Sequence, residues 1–351
     1  MSLFVTKHDR STARAVVGNR LCTDLIDVTN DLSALDSSGF WAVLLPYNGL
    51  PLCARFATVR PAIPWTGRPW VGPDIDTWET SLNEAEFGAG VDSIRASTAA
   101  GDVYQVNLTR RMSASLASCD TPRIEALGAA LAQGNPAPFS AVVSLPTHGI
   151  AVASASPERF LAREGSRIWS SPIKGTAASP DGFSAKDHAE NVMIVDLVRN
   201  DLGRVCEWGS VRVPELLHVE PHPGLFHLVS TVEGTLRPGL GWAEAISATF
   251  PPGSVTGAPK ISACSIIDVL EPVPREIYCG AIGWVDADRV RGDLNVAIRT
   301  FWIEENTLNF GTGGAITWDS TPLGEWRETE LKAKRLIGLA SAIQRTSHVE
   351  P

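Results

Sequence analysis

The chain of 351 residues is 44% hydrophobic and 20% charged, a balance that can bury a sizeable core in one large or two ordinary domains and excludes a disordered polypeptide. Its 39 acidic and 30 basic residues give a formal charge of -9 with no Lys/Arg run, which argues against nucleic-acid or anionic-membrane surfaces. Any anionic substrate therefore needs local cations or a metal.

The N-terminal "MSLFVTKHDRSTARAVV" lacks the apolar stretch of a signal peptide, and nowhere do ~18 apolar residues run together as a membrane span requires. Six scattered cysteines (Cys22, Cys53, Cys119, Cys206, Cys264 and Cys279) with no C-x-x-C pair fit reduced thiols better than disulfides or zinc. A soluble, cytoplasmic protein is expected.

In chain order, "FWAVLLPYN" and "PLCARFATVRP" read as a strand pair, and the Pro/Gly/Trp-rich "PAIPWTGRPWVGPDIDTW" as a loop or boundary. Residues 1–84 thus form a short N-terminal segment. "EAEFGAGVDSIRASTAA" has helical spacing, Gly101-Asp102 makes a turn, and "VYQVNLTRRMSASL" alternates like a strand. "DTPRIEALGAALAQG" predicts a helix with Asp120 as N-cap, Pro122 in the first turn and Gly134 as C-cap. The strand runs "FSAVVSL" and "GIAVASASPERFLA" lead to "SSPIKGTAAS", where the backbone reads as leaving a sheet at Lys174 and Gly175. Next come the helix "SAKDHAENVMIVDLVRNDLGRV", a Pro-rich crossing, a helical zone over 242–270, three strands between 277 and 318, and a final helix over 322–345. Adjacent hairpins make the sheet largely antiparallel, so the fold class is α+β.

Several side chains stand out from this frame. Lys174 alone reads as a solvated surface charge. Asp187 and Glu190 are three apart on one helix, and Glu325 and Glu328 repeat the spacing on another, so each pair shares a helix face. Singly these are ordinary solvated faces, Glu328 with Lys332 being an i,i+4 ion pair; meeting in one cleft, they would form an oxygen-only site for a hard ion such as magnesium. The glycine run "GTGGAI" is either an anion cradle or a tight hairpin. The prolines of "HVEPHPGLFHL" keep His218, His222 and His227 off a single helix, so zinc is not expected. In "GSVTGAPK", Thr256 and Pro259 stand where a helix begins, which reads as capping first and anion binding second. Arg299 in the apolar "LNVAIRTFW" needs a partner, a carboxylate ligand being one candidate.

Taken together and in order, "GDVYQVNLTRR", "SPERFL", "PIKGT", "KDHAENVMIVDLVRNDLGRV", "HLVSTVEG", "FPPGSVTGAPK", "YCGAIGW", "IRTFW", "GTGGAI" and "EWRETELKAK" resemble the chorismate-utilising enzymes, in particular the aminodeoxychorismate synthase component I branch. The resemblance runs from Glu84 to Arg345 and makes 85–345 a chorismate-binding catalytic domain, with 346–351 a tail. It implies two large antiparallel β-sheets packed face to face with flanking helices, the N-terminal segment completing the same sandwich.

The resemblance also implies roles. Magnesium would be held by Glu190 and Glu328, with Asp187 and Glu325 acting through water. The ring carboxylate of chorismate would meet the metal, the Gly313, Gly314 and Ala315 backbone, and Lys332. Arg299 and Tyr278 would take the enolpyruvyl carboxylate, with Ser254 and Thr176 nearby and His227 beside the ring. Lys174 would attack ring C2 while Glu158 protonates the departing C4 hydroxyl. Family members that make anthranilate generally carry a small residue in place of this lysine, and members that add water carry a lysine base at the position of Gln105. The implied activity is conversion of chorismate and ammonia to 4-amino-4-deoxychorismate, the precursor of 4-aminobenzoate and folate. No segment resembles a glutamine amidotransferase, so ammonia would come from such a subunit in trans or from solution.

Overall fold

The computed structural model describes residues 12–341 except 118, 120–122, 178 and 223–224, and the side chains of 176, 222 and 225 also lie outside the described set. Six α-helices are described: α1 (Glu84–Ala100), α2 (Ile124–Gly134), α3 (Ala185–Gly203), α4 (Trp242–Thr249), α5 (Lys260–Leu270) and α6 (Pro322–Ala340). Local chemistry sets their ends. Asn83 and Glu86 form a reciprocal capping box on α1, and Gly101 closes it at φ 84°, a left-handed conformation that glycine adopts without strain. Ser184 and Asp187 cap α3 in the same reciprocal way.

The strands form one continuous antiparallel ladder. It starts at Leu225–Thr235, flanked by Arg212–His222 and Ile173–Ala177, and passes through Arg167–Ser171, Arg159–Glu164, Arg291–Val296 and Ala281–Asp286. It continues through Phe40–Leu45, Leu52–Pro61, Arg20–Thr29, Arg14–Val17 and Phe139–Leu145. Ile150–Ser156, Thr300–Glu304, Thr307–Ile316 and Gln105–Ser115 complete it, the last flanked by the two-residue strands Glu79–Thr80 and Gly257–Ala258. The ladder bends back on itself: the Asn295 amide donates to the Phe139 carbonyl at 2.7 Å, and the Ser156 hydroxyl to the Val296 carbonyl at 2.6 Å. The two sheets of the expected sandwich are the two halves of this ladder.

Period-two alternation divides the core. On Ile150–Ser156, Val152 enters the main core between the halves, whereas Ala153 and Ala155 join Phe301, Phe310, Leu127 and Leu336 beneath α2 and α6. A third cluster packs Phe87, Val91 and Ile94 of α1 on Val106 and Leu108. Phe301 is fully buried, its ring centroid 4.6 Å from that of Phe310. Phe301→Ala is expected to cost about 3–5 kcal/mol, read as a lower urea midpoint at unchanged m-value; a loss under about 1 kcal/mol would mean the outer layer collapses around the gap.

Some sequence expectations are corrected. The Pro-rich crossing is a hairpin of two strands of 11 residues each, Arg212–His222 and Leu225–Thr235, whose proline-bearing member is at the edge, where a missing N–H is tolerated. Four strands, not three, lie between 277 and 318. Among its described residues the N-terminal segment holds five strands rather than a pair, and "GIAVASASPERFLA" is two strands interrupted at Pro157. The zone over 242–270 is two helices. Asp120 and Pro122 lie outside the described residues; α2 starts at Ile124 behind Arg123, and Asn135 rather than Gly134 is its C-cap. Helix α6 is described to Ala340, and 342–351, including the tail, lie outside the described set.

Candidate active site

Lys174 does not leave the sheet. Its strand pairs with Leu225–Thr235 through a register shift between Ile173 and Thr176, and Gly175 adopts φ 88°. A bulge of this kind re-aims the side chain beside it. A Cβ on Gly175 would stand 3.0 Å from Asp187 Cβ, so the bulge seats against the first turn of α3. The aimed amine, Lys174 Nζ, donates to the Ser254 carbonyl at 3.1 Å. Burial pulls its pKa down against the opposing pull of Glu190 and Glu158, favouring a neutral amine.

Glu158 follows Pro157, the interruption between two strands, and only 4% of it is exposed. Its carboxylate accepts from the Ile173 amide at 3.4 Å and from the Ser254 hydroxyl. Burial raises its pKa more than Ser254, Lys174 and Arg299 lower it, so a protonated carboxyl is favoured. Ser254 thus contacts the amine through its carbonyl and the acid through its hydroxyl.

The carboxylates approach from α3 and α6. Lys186 Nζ lies 3.6 Å from Glu190 and 3.3 Å from Glu325, bridging the helices. Burial opposes the Lys186 charge, but Glu325 and Glu190 outweigh it and raise its pKa. Glu328 pairs with Lys332 at 2.7 Å, and Lys332 also donates to the Gly313 carbonyl at 3.0 Å. Burial raises the Glu190 carboxyl pKa, whereas at Glu328 the nearby lysines overcome burial and lower it.

The glycines meet these groups inside a strand, Thr307–Ile316, so the hairpin alternative falls. A Cβ on Gly314 would lie 3.1 Å from Glu325 Oε2 and 3.7 Å from Glu328 Oε1, marking where two carboxylates converge on bare backbone. Glu325 is 4% exposed, its Oε1 accepts from Ser320 at 2.5 Å, and its Oε2 is buried without a hydrogen-bond partner. Among the described residues, no three His, Cys, Asp or Glu already surround one ion position. Magnesium asks for less, about one or two carboxylates with water and substrate oxygens completing the shell. The orphan oxygen and the glycine cradle fit that demand. Asp187 fits it less well, because its Oδ2 caps α3, accepting from Ser184 N at 2.8 Å and from its hydroxyl at 2.7 Å.

The remaining expected site residues have the following surroundings. Arg299 is not in a strand interior: it sits between strands at φ 52°, with Glu158 as its electrostatic neighbour and no ion pair among the described contacts. His227 is buried on Leu225–Thr235, opposite Thr176, whose side chain lies outside the described set. Gln105 is wholly buried, and both amide atoms lack hydrogen-bond partners. The Tyr278 ring fills the space over Gly311, and its electrostatic neighbours are Cys279, Arg275 and Glu271. Thr256 does not cap α5; its hydroxyl donates to Pro252 and Gly253 carbonyls. Sequence reasoning passed over Lys186, although its i,i+4 spacing to Glu190 was visible, and Arg275, hidden in the proline-rich "EPVPRE".

Among the described residues, no helix is long and apolar enough to cross a membrane. Comparison with known proteins identifies the family and the fold. The chain is 41% identical over 272 residues to aminodeoxychorismate synthase component 1 of Salmonella typhimurium, covering 74% of this chain and 58% of that protein. It is 39% identical over 272 residues to anthranilate synthase component 1 of Streptomyces coelicolor, covering 74% of this chain and 52% of that one. The chain therefore spans little more than half the length of these relatives. Among solved structures, anthranilate synthase component I from Streptococcus pneumoniae superposes with a TM-score of 0.77 at 22% identity, over 96% of this chain and 94% of that one. The menaquinone-specific isochorismate synthase from Escherichia coli does so with a TM-score of 0.78 at 16% identity, over 97% and 92%. These structures share the fold, and the family profile described as chorismate binding enzyme matches residues 69–338, more than half of the chain. The chain belongs to the chorismate-binding enzyme family.

Proposed function

We propose that the protein is an aminodeoxychorismate synthase component I, converting chorismate and ammonia to 4-amino-4-deoxychorismate and water. The observation that carries this reading is the placement of Lys174 and Glu158 on one residue, Ser254, with pKa shifts that favour a neutral amine and a protonated acid. Lys174 Nζ attacks ring C2, the two conjugated ring double bonds shift together from C1=C2 and C5=C6 to C1=C6 and C4=C5, and the C4–O bond breaks as Glu158 gives its proton to the leaving hydroxyl. Ammonia then attacks C4, both double bonds shift back, and the C2–N bond to Lys174 breaks. The lysine nitrogen carries its two protons as an ammonium while bonded and departs as the neutral amine, and Glu158 recovers its proton from the incoming ammonium group.

Glu190 and Glu328, with Glu325 beside Gly314 and Asp187 through water, would hold magnesium. When bound, the ion neutralises the ring carboxylate and acidifies the ring. Lys332 and the Gly313, Gly314 and Ala315 backbone seat the same carboxylate, and Arg299 takes the enolpyruvyl carboxylate with Tyr278 nearby. His227 and Thr176 flank the ring. Gln105 is neutral and cannot deprotonate water, which supports ammonia as the nucleophile. A glutamine amidotransferase acting in trans supplies it, consistent with the component numbering in the relatives' names.

Identities of 41% and 39% do not separate the two relatives' activities. Product analysis does. With chorismate, ammonium and magnesium, mass spectrometry should find 4-amino-4-deoxychorismate with its enolpyruvyl group retained. Fluorescent anthranilate with released pyruvate would make the chain an anthranilate synthase instead, and no turnover would leave a non-catalytic binding subunit. Ammonium should serve best at raised pH, where NH3 is plentiful, and glutamine only after the partner is added.

A further inference from the structure

We propose that Arg275 is a positioning residue, fixing the Ser254 loop and through it the placement of Lys174 and Glu158. This rests on the reading above. Arg275 and Glu271 lie outside the reacting groups yet are among the most buried charges in the chain, with side chains 2% and 6% exposed. Two guanidinium nitrogens hold the two oxygens of Glu271, Nε to Oε2 at 2.8 Å and a terminal nitrogen to Oε1 at 2.7 Å. The remaining donors reach backbone on two separate elements: the Val255 carbonyl at 2.7 Å and the Asn107 carbonyl at 2.7 Å. Glu271 Oε1 also accepts from the Thr109 amide at 2.8 Å and its hydroxyl at 2.9 Å.

One fork therefore ties the residue after Ser254 to the strand Gln105–Ser115, where Thr109 lies opposite Gly313. The loop's far end is pinned separately, Lys260 Nζ donating to Asp201 at 2.6 Å and to the Thr249 carbonyl at 2.8 Å. Thr256 is held on its own account, its hydroxyl donating to the Pro252 carbonyl at 3.1 Å and its carbonyl accepting from the Asn107 amide at 2.7 Å. The Arg275 bond adds the described side-chain contact on the Val255 carbonyl, next to Ser254, and so limits rotation of the Ser254 carbonyl away from Lys174. A planar fork is needed, because one ammonium cannot hold a carboxylate and two diverging carbonyls at once. The bland alternative is a buried pair that only stabilises the fold, since breaking such a pair is costly wherever it lies.

The test is Arg275→Lys in the full chain, assayed with chorismate, ammonium and magnesium. Misplacing a reacting group by about 1 Å costs on the order of 10²-fold, so kcat should fall about that much while KM for chorismate moves less than about threefold. In a Ser254→Ala background, which deletes the hydroxyl contact to Glu158 and keeps the carbonyl contact to Lys174, the same substitution should cost less only by the share transmitted through Glu158. Reductive methylation of Lys174, read by peptide mass, needs no turnover and should change its rate in Arg275→Lys. Wild-type kcat and methylation rate in that variant would overturn the proposal. If Arg275→Lys does not fold, Glu271→Gln, which keeps an acceptor for Thr109, replaces it. Failure of both to fold would assign the pair to stability alone and overturn the proposal. A wild-type chain that makes no 4-amino-4-deoxychorismate overturns the functional reading instead, and the methylation arm still decides the role of Arg275.

Discussion

Lys174→Ala is expected to remove the covalent route, lowering turnover by at least the 10²- to 10⁴-fold typical of a group acting at the reacting centre. The residual product is the more telling readout. Glu158 and the substrate clamps remain, so ammonia can enter directly at C2, and the slow product should shift towards the 2-amino isomer and anthranilate. Near wild-type formation of 4-amino-4-deoxychorismate by this variant would reduce the lysine to an electrostatic role. Wild-type protein quenched with chorismate and no ammonia should carry added mass on the peptide containing Lys174.

The pH dependence follows from the two shifts. In the proposed mechanism activity needs Lys174 neutral, so its lowered pKa extends the active range downward in pH; it needs Glu158 protonated, so its raised pKa extends the range upward. Glu158→Gln should remove the alkaline limb that belongs to the acid and cost about 10²- to 10⁴-fold in kcat.

The proposed metal site provides the second large effect. Glu190→Gln or Glu328→Gln should each abolish measurable turnover, whereas Asp187→Asn and Glu325→Gln, if they act through water, should cost about 10- to 100-fold. Glu328 lies on the exposed face of α6, so its replacement should leave stability within about 0.5 kcal/mol of wild type. Calorimetric titration with magnesium should show weaker binding in the Glu190 and Glu328 variants. Full activity in EDTA would remove the metal from the reaction.

Local patterns were legible because their causes are local. The residues of α1, "EAEFGAGVDSIRASTAA", carry both their helical period and, in the adjoining Asn83, Glu86 and Gly101, their caps. The 187/190 and 325/328 spacings place carboxylates on common helix faces, and ordered motifs were enough to indicate the family. The hairpin from Arg212 to Thr235 was missed because prolines read as breakers unless the strand is known to be an edge, and edges are a property of the finished sheet. Arg299 looked like a strand interior because apolar neighbours surround it in sequence, while its positive φ depends on the turn between two strands that pair elsewhere.

Sequence by itself determined the class, the main helices, the order of motifs, the chemical inventory and the question posed by Lys174. Only the tertiary structure decided that the lysine sits on a bulge, that Ser254 stands between it and Glu158, that Lys186 bridges α3 and α6, and that Asp187 is drawn into a helix cap. The reason is physical. A side chain's type is written where it occurs, but its pKa, partner and aim depend on burial and on residues such as Lys174 and Ser254, 80 positions apart, that only the folded ladder brings together.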